Sequence, residues 1–198
     1  MMERILVVPR NALFSERQFK GYLPLKEYDF LSAIRKYGFF AERTAELEKN
    51  PDLKQIIPYQ IFTFNNRFFL YQRVSSQMEK RLLEKFSLGT GGHINTEMQD
   101  ITDAIEAGRR QELAEEVDYE SRYRTKIVGF LNLEHGIHAV HFGIVYLLQG
   151  SSPRIHMKEK YNKTIGLLSI RDLQTYYENM EDWSKLVLEN VGDFLPQK

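Results

Sequence analysis

The chain has 198 residues, of which 42% are apolar, enough for a single folded unit with additions around a substantial core. Lysine plus arginine equals aspartate plus glutamate at 27 each, so the net charge recommends neither nucleic acid nor a membrane surface as partner. The lack of cysteine excludes disulfides, thiol catalysis and thiolate metal sites; with no signal-like start and no apolar window of about 18 residues, the expectation is a soluble, cytoplasmic protein.

Residues Glu3 to Arg10, ERILVVPR, form a β-branched run closed by proline and read as a strand with a structural task. Leu25, Tyr28, Leu31, Ile34 and Tyr37 recur at helical spacing before Gly38, which predicts an amphipathic helix opening at Pro24-Leu25. A second helical piece is expected over Ala41 to Lys49, ended by Asn50-Pro51 because proline restricts the residue before it. Residues 1–54 then read as an N-terminal extension packed on a core domain of residues 55–198. Ile56 to Val74 contains two β-rich runs flanking Asn65-Asn66, and asparagine tolerates the positive φ of a tight hairpin. Arg73 ends the second run and Arg81 follows soon after; by themselves such arginines are most often surface or ion-paired residues.

The stretch from Ser87 to Tyr119, SLGTGGHINTEMQDITDAIEAGRRQELAEEVDY, joins a glycine turn to a carboxylate-rich helix. Gly91 and Gly92 permit a carbonyl to turn where a Cβ would obstruct it. His93, leaving the turn, reads as a structural hydrogen-bonder before a metal ligand or base. Asp100 or Thr102 can cap the following helix, and the cost of Gly108 inside it places the well-formed part at about Gly108 to Val117. Glu112, Glu115 and Glu116 stand at i, i+3 and i+4 and share a face, with Leu113 and Val117 on the other. A glutamate pair on a helix is ordinarily solvated surface; three together also suit Mg²⁺ or Mn²⁺, which prefer carboxylate oxygens.

Tyr123 to Leu133 and His138 to Leu148 are further β-rich runs, and His141 within the second reads as a sheet or core histidine. Glu159 lies in a loop region after Ser151-Ser152-Pro153. Leu173 to Tyr177 and Trp183 to Val191 read as helices, the latter with a stripe of Trp183, Leu186, Val187 and Val191 that core packing explains.

This order of parts, a G-x-G-G-H-I turn and then a glutamate helix, resembles the Nudix hydrolase family, whose box reads G-x5-E-x7-R-E-U-x-E-E-x-G-U with U bulky and apolar. The second half of the box maps onto Glu112 to Tyr119. Gln111 stands at the position of the box arginine and Asp118 at that of its late glycine. The spacing from Gly92 to Gln111 is five residues longer than the consensus, as in a subgroup with a longer insert, and Asp103 stands at the right distance for the early acid. The resemblance implies an α/β fold, a mixed β-sheet sandwiched between helices. It further implies divalent-metal-dependent hydrolysis of a phosphoanhydride in a nucleoside diphosphate derivative or nucleoside triphosphate. Glu112, Glu115 and Glu116 would be the catalytic carboxylates and, with the Gly91 carbonyl, would hold Mg²⁺ or Mn²⁺. Arg73 and Arg81 would lie near substrate phosphates, Glu159 would add a late acid, and the partner would be a small phosphorylated molecule, with a homodimer also expected. The alternative is a catalytically weak or inactive nucleotide-binding or regulatory module, for which Gln111 and Asp118 speak.

Overall fold

The computed structural model describes residues 2–74, 83–158 and 160–195. In chain order its elements are β1 (Arg4–Pro9), α1 (Arg10–Leu13), β2 (Gly21–Pro24), α2 (Leu31–Tyr37), β3 (Phe39–Glu42), β4 (Leu53–Phe64), β5 (Arg67–Arg73), β6 (Phe86–Ser87) and β7 (Gly89–Thr90). There follow α3 (Ile101–Glu116), β8 (Val117–Asp118), β9 (Tyr123–Asn132), β10 (His141–Gly150), β11 (His156–Met157), β12 (Asn162–Leu168), α4 (Ile170–Leu173) and α5 (Asp182–Glu189). The class is α/β, as the sequence led us to expect. The chain divides into two compact units: residues 1–59, 91–111 and 127–145 form unit 1, and 60–90, 112–126 and 146–198 form unit 2.

In unit 1, β1 pairs antiparallel with β3 and with the start of β4, and β2 pairs with β9. Its core is aromatic: Phe30, fully buried, lies 5.3 Å from Phe142 and 5.4 Å from Phe130 in tilted and edge-on contacts, with Phe14 and Phe19 beside it. The first helix is shorter than its periodicity predicts. Pro24 ends β2, and the Asp29 carboxylate accepts from the Leu31 N–H at 2.9 Å, which starts α2 at Leu31 instead of Leu25. The expected helical piece from Ala41 also shrinks. Ala41 is claimed by pairing with Ile5 in β3, and only Leu47–Lys49 makes a single 3₁₀ turn.

Unit 2 is built on the β4–β5 hairpin, whose turn residues Asn65 and Asn66 have φ of 48° and 60°, as the two asparagines predict. β12 pairs antiparallel along β5, β6 pairs with the far end of β5, and β7 pairs with β4. Phe68, Leu70, Tyr71 and Leu148 are fully buried there, and α5 adds Trp183 and Val187. Leu186 of the expected stripe is only half-buried, with Leu188 buried in its stead.

The helix that carries the glutamates is longer than glycine propensity suggests. Asp100 caps it, its carboxylate accepting from the N–H groups of Thr102 and Asp103 at 2.7 and 3.1 Å. Gly108 does not break it, because that position is filled by Ile94: a Cβ there would meet the Ile94 side chain at 3.0 Å. Close packing therefore offsets the roughly 1 kcal/mol that glycine costs in a helix.

Candidate active site

At the C-terminal end of α3, Glu115 is exposed, Glu112 and Glu116 are half-buried, and Leu113 and Val117 are buried. The two-sided character read from the spacing is thus present, although Val117 already belongs to β8. The helix stops here for identifiable reasons. β8 pairs with β11, the Lys158 N–H donates to the Glu116 carbonyl at 2.8 Å, and the Lys158 ammonium donates to the Ala114 carbonyl at 2.7 Å. A cation at the negative end of a helix dipole is favourable, and it fixes the last turn on which the glutamates stand.

Unit 2 also holds a buried ionic group that the sequence did not announce. Arg73 and Glu181, with side chains only 11% and 7% exposed, form a short ion pair through Arg73 Nε. Ser87 Oγ lies 3.0 Å from the other Glu181 oxygen, and Ser184 Oγ accepts from the Leu88 N–H at 3.0 Å. The buried Tyr71 hydroxyl donates to the Gly89 carbonyl at 2.9 Å. Burial works against a charge on Arg73, yet Tyr71, Glu181 and Glu116 together hold its pKa above the ordinary arginine value. Burial raises the pKa of Tyr71, opposed by Arg73 and assisted by Glu116 and Glu181. Glu116 therefore shares a field with a permanent cation brought by β5, far away in sequence.

The arginines of α3 are engaged earlier in the helix. Arg109, 3% exposed, donates to Glu106 at 2.8 Å, and Arg110 lies 4.0 Å from the same carboxylate, four residues back on the helix. Gln111, in place of the box arginine, accepts from the Thr96 hydroxyl at 2.9 Å. Gly91 has a plain steric cause: a Cβ would fall 2.3 Å from the Pro58 carbonyl oxygen of β4. Arg81 and Glu159 lie outside the described residues.

Among the described residues, the group of His, Asp and Glu side chains whose ligand atoms all lie within 4.8 Å of one another is Glu48, His93 and His141, in unit 1. The three glutamates of α3 do not form such a closed group, as expected of like charges at helical spacing. The sequence signals behind the missed residues, Glu181, Ser87, Ser184 and Glu48, are individually silent. Each is an unremarkable polar residue until topology brings it to its partner. Also in unit 1, a cleft of about 1060 Å³ is lined by residues including Arg10, Phe14, Phe19, Asp52, Asn132 and Glu134. None of the carboxylates of α3 lines it, and Arg10 is paired there with Glu134, so its volume alone does not make it a site of chemistry.

No family model matches the chain. Protein YmaB of Bacillus subtilis (strain 168) is 30% identical over 200 residues, covering 96% of this chain and 97% of that protein. Among solved structures, Tm1382, a candidate Nudix hydrolase, is similar at a TM-score of 0.82 with 29% identity, over 98% of this chain and 100% of its own. The NUDIX domain of Shewanella oneidensis NrtR, solved with ADP ribose, matches at a TM-score of 0.55 with 11% identity, over 72% of this chain and 89% of its own, a likeness of fold.

Proposed function

The chain belongs to the Nudix hydrolase family, a family of pyrophosphohydrolases, and from that premise we propose that it is a divalent-metal-dependent hydrolase of a phosphoanhydride in a nucleoside diphosphate derivative or nucleoside triphosphate. The observation that carries the reading is the end of α3, where Glu112, Glu115 and Glu116 leave the helix as oxygen donors while Leu113 and Val117 anchor it. An all-carboxylate donor set fits Mg²⁺ or Mn²⁺ and suits a softer ion poorly. When bound there, such an ion supplies neutralisation of phosphate charge and a lowered pKa for an attacking water. Glu112, half-buried, is the carboxylate we assign to accept the proton of that water. Arg73, committed to Glu181 and coupled electrostatically to Glu116, is the residue to which we assign a positioning role for that carboxylate. Lys158 holds the last turn from the carbonyl side. A nucleotide-like substrate is supported by the NrtR domain having been solved with ADP ribose.

A panel of nucleoside diphosphate derivatives and triphosphates, assayed with Mg²⁺ and then Mn²⁺, tests the reading. Release of phosphate-containing products from a member of the panel is the expected result. Metal-dependent binding across the panel without product would replace the enzyme by the binding or regulatory module. We also propose a homodimer, for which light scattering at the 23.4 kDa monomer mass over a wide concentration range would be the contrary result.

A further inference from the structure

The Glu48, His93 and His141 group takes no part in the chemistry assigned to α3, and its composition differs from the carboxylates there. Glu48 stands in the 3₁₀ turn before β4, His93 follows the glycine turn, and His141 opens β10. All three are half-buried, and their ligand atoms lie within 4.8 Å of one another. The two imidazole rings meet edge to face with centroids 5.5 Å apart. We propose that Glu48, His93 and His141 form a second metal site, selective for a borderline transition-metal ion such as Zn²⁺ over Mg²⁺.

Two observations support it. First, the donors are of the right kind: two imidazole nitrogens and one carboxylate make a three-ligand set used by zinc with an open fourth position, whereas Mg²⁺ favours oxygen. Tetrahedral bonds of about 2.0–2.1 Å place donors roughly 3.4 Å apart, so a contraction of up to about 1.4 Å by side-chain rotation closes the site. Second, the donors have outer partners. His93 Nε2 lies 2.6 Å from Gln55 Oε1, and the Gln55 amide nitrogen donates to the Leu47 carbonyl at 3.4 Å and toward Glu48 Oε2 at 3.5 Å. With the amide so oriented, Nε2 of His93 carries the proton and Nδ1 keeps its lone pair, the arrangement by which an outer hydrogen bond sets the tautomer of a metal-binding histidine. Arg43 donates to Glu48 Oε1 at 2.6 Å and so orients the carboxylate.

The test is optical titration of the metal-free full chain with Co²⁺, whose d–d bands report nitrogen-containing sites of low coordination number, followed by competition with Zn²⁺ and with millimolar Mg²⁺. One equivalent of Co²⁺ with visible bands is expected, displaced by Zn²⁺ and not by Mg²⁺. Glu48→Gln and His141→Asn should weaken binding tenfold or more, whereas Glu115→Gln on α3 should leave the bands in place. Circular dichroism accompanies each variant. If His141→Asn fails to fold, Glu48→Gln decides, since that side chain is 34% exposed and its substitution is nearly isosteric. A wild-type chain without saturable bands overturns the proposal, as do bands that survive Glu48→Gln or vanish in Glu115→Gln.

Discussion

Two buried cations, Arg73 in unit 2 and Lys54 in unit 1, are treated differently. In unit 2 Arg73 meets a carboxylate, Glu181, and its charge is reinforced. In unit 1 Lys54, fully buried, meets backbone carbonyls, donating to Ala139 at 2.7 Å and lying 3.3 and 3.5 Å from those of His141 and Leu133. Burial, aided by Arg10 and resisted by Glu134, brings its pKa down to about 8. His93 and His141 are likewise held neutral nearby in the same unit. Carbonyl dipoles satisfy hydrogen bonds without supplying a counter-charge, and desolvation then wins. The difference separates two chemistries. Surroundings that sustain an ion, as at Arg73, suit carboxylates working on charged phosphates, and surroundings that suppress one, as at Lys54, suit neutral nitrogen donors.

The sharpest break of this contrast is to remove the charge from unit 2. Arg73→Met leaves Glu181 buried without its cation and is expected to lower stability by about 3–5 kcal/mol, measured by urea unfolding. The double change Arg73→Met with Glu181→Leu should recover much of that loss, because apolar residues of similar volume often replace a buried pair at little cost. A single variant that is as stable as the wild type would show that the pair carries no weight in the fold.

Next in size is Glu115→Gln, which keeps shape and removes one negative charge. The exposed position predicts a stability change within about ±0.5 kcal/mol. Turnover of the best substrate at saturating Mg²⁺ should fall on the order of a hundredfold or more, equivalent to at least about 2.7 kcal/mol. Undiminished turnover in a folded variant would return Glu115 to ordinary surface.

What the sequence disclosed follows the same divide. Local signals were legible: the Asn65-Asn66 hairpin, the capping Asp100 and the apolar side of α3 each depend on neighbours a few residues away. The α/β class followed from the resemblance built on Gly91, Gly92 and Glu112 to Glu116. Boundaries failed where long-range pairing overrode local pattern, as with Ala41, helical by spacing but paired to Ile5. Both ionic centres were illegible for a related reason. Arg73 and Glu181 are 108 residues apart, and no periodicity connects Glu48 to His93 or His141.

In unit 1 the contrast is tested by pH. Lys54 has a folded pKa of about 8 against 10.5 when unfolded, so between these values the unfolded chain binds more protons. Its contribution to stability must therefore rise as pH increases from about 8 to 10.5, and below that window the full penalty of burying the charge applies. We expect an effect on the order of 2 kcal/mol, read as the difference between wild type and Lys54→Met in unfolding free energy across that range. Parallel curves for the two proteins would mean that Lys54 stays charged as readily inside as outside.

The smallest effect is expected at Gln111, where the chain departs from the family box. Gln111 is exposed and accepts a hydrogen bond from Thr96. Losing such an exposed bond costs a few tenths of a kcal/mol, and arginine is among the better helix formers, so Gln111→Arg should change stability within about ±0.5 kcal/mol. Its position places the new cation at i−4 from Glu115, a spacing at which opposite charges attract on a helix. In this chain Arg73 already supplies a buried cation to the field of Glu116, so a second one on the helix adds little. Turnover should accordingly be unchanged or modestly higher. A tenfold fall in kcat with stability preserved would show instead that the neutral amide at 111, held by Thr96, has a task of its own, and that Arg73 does not stand in for the box arginine.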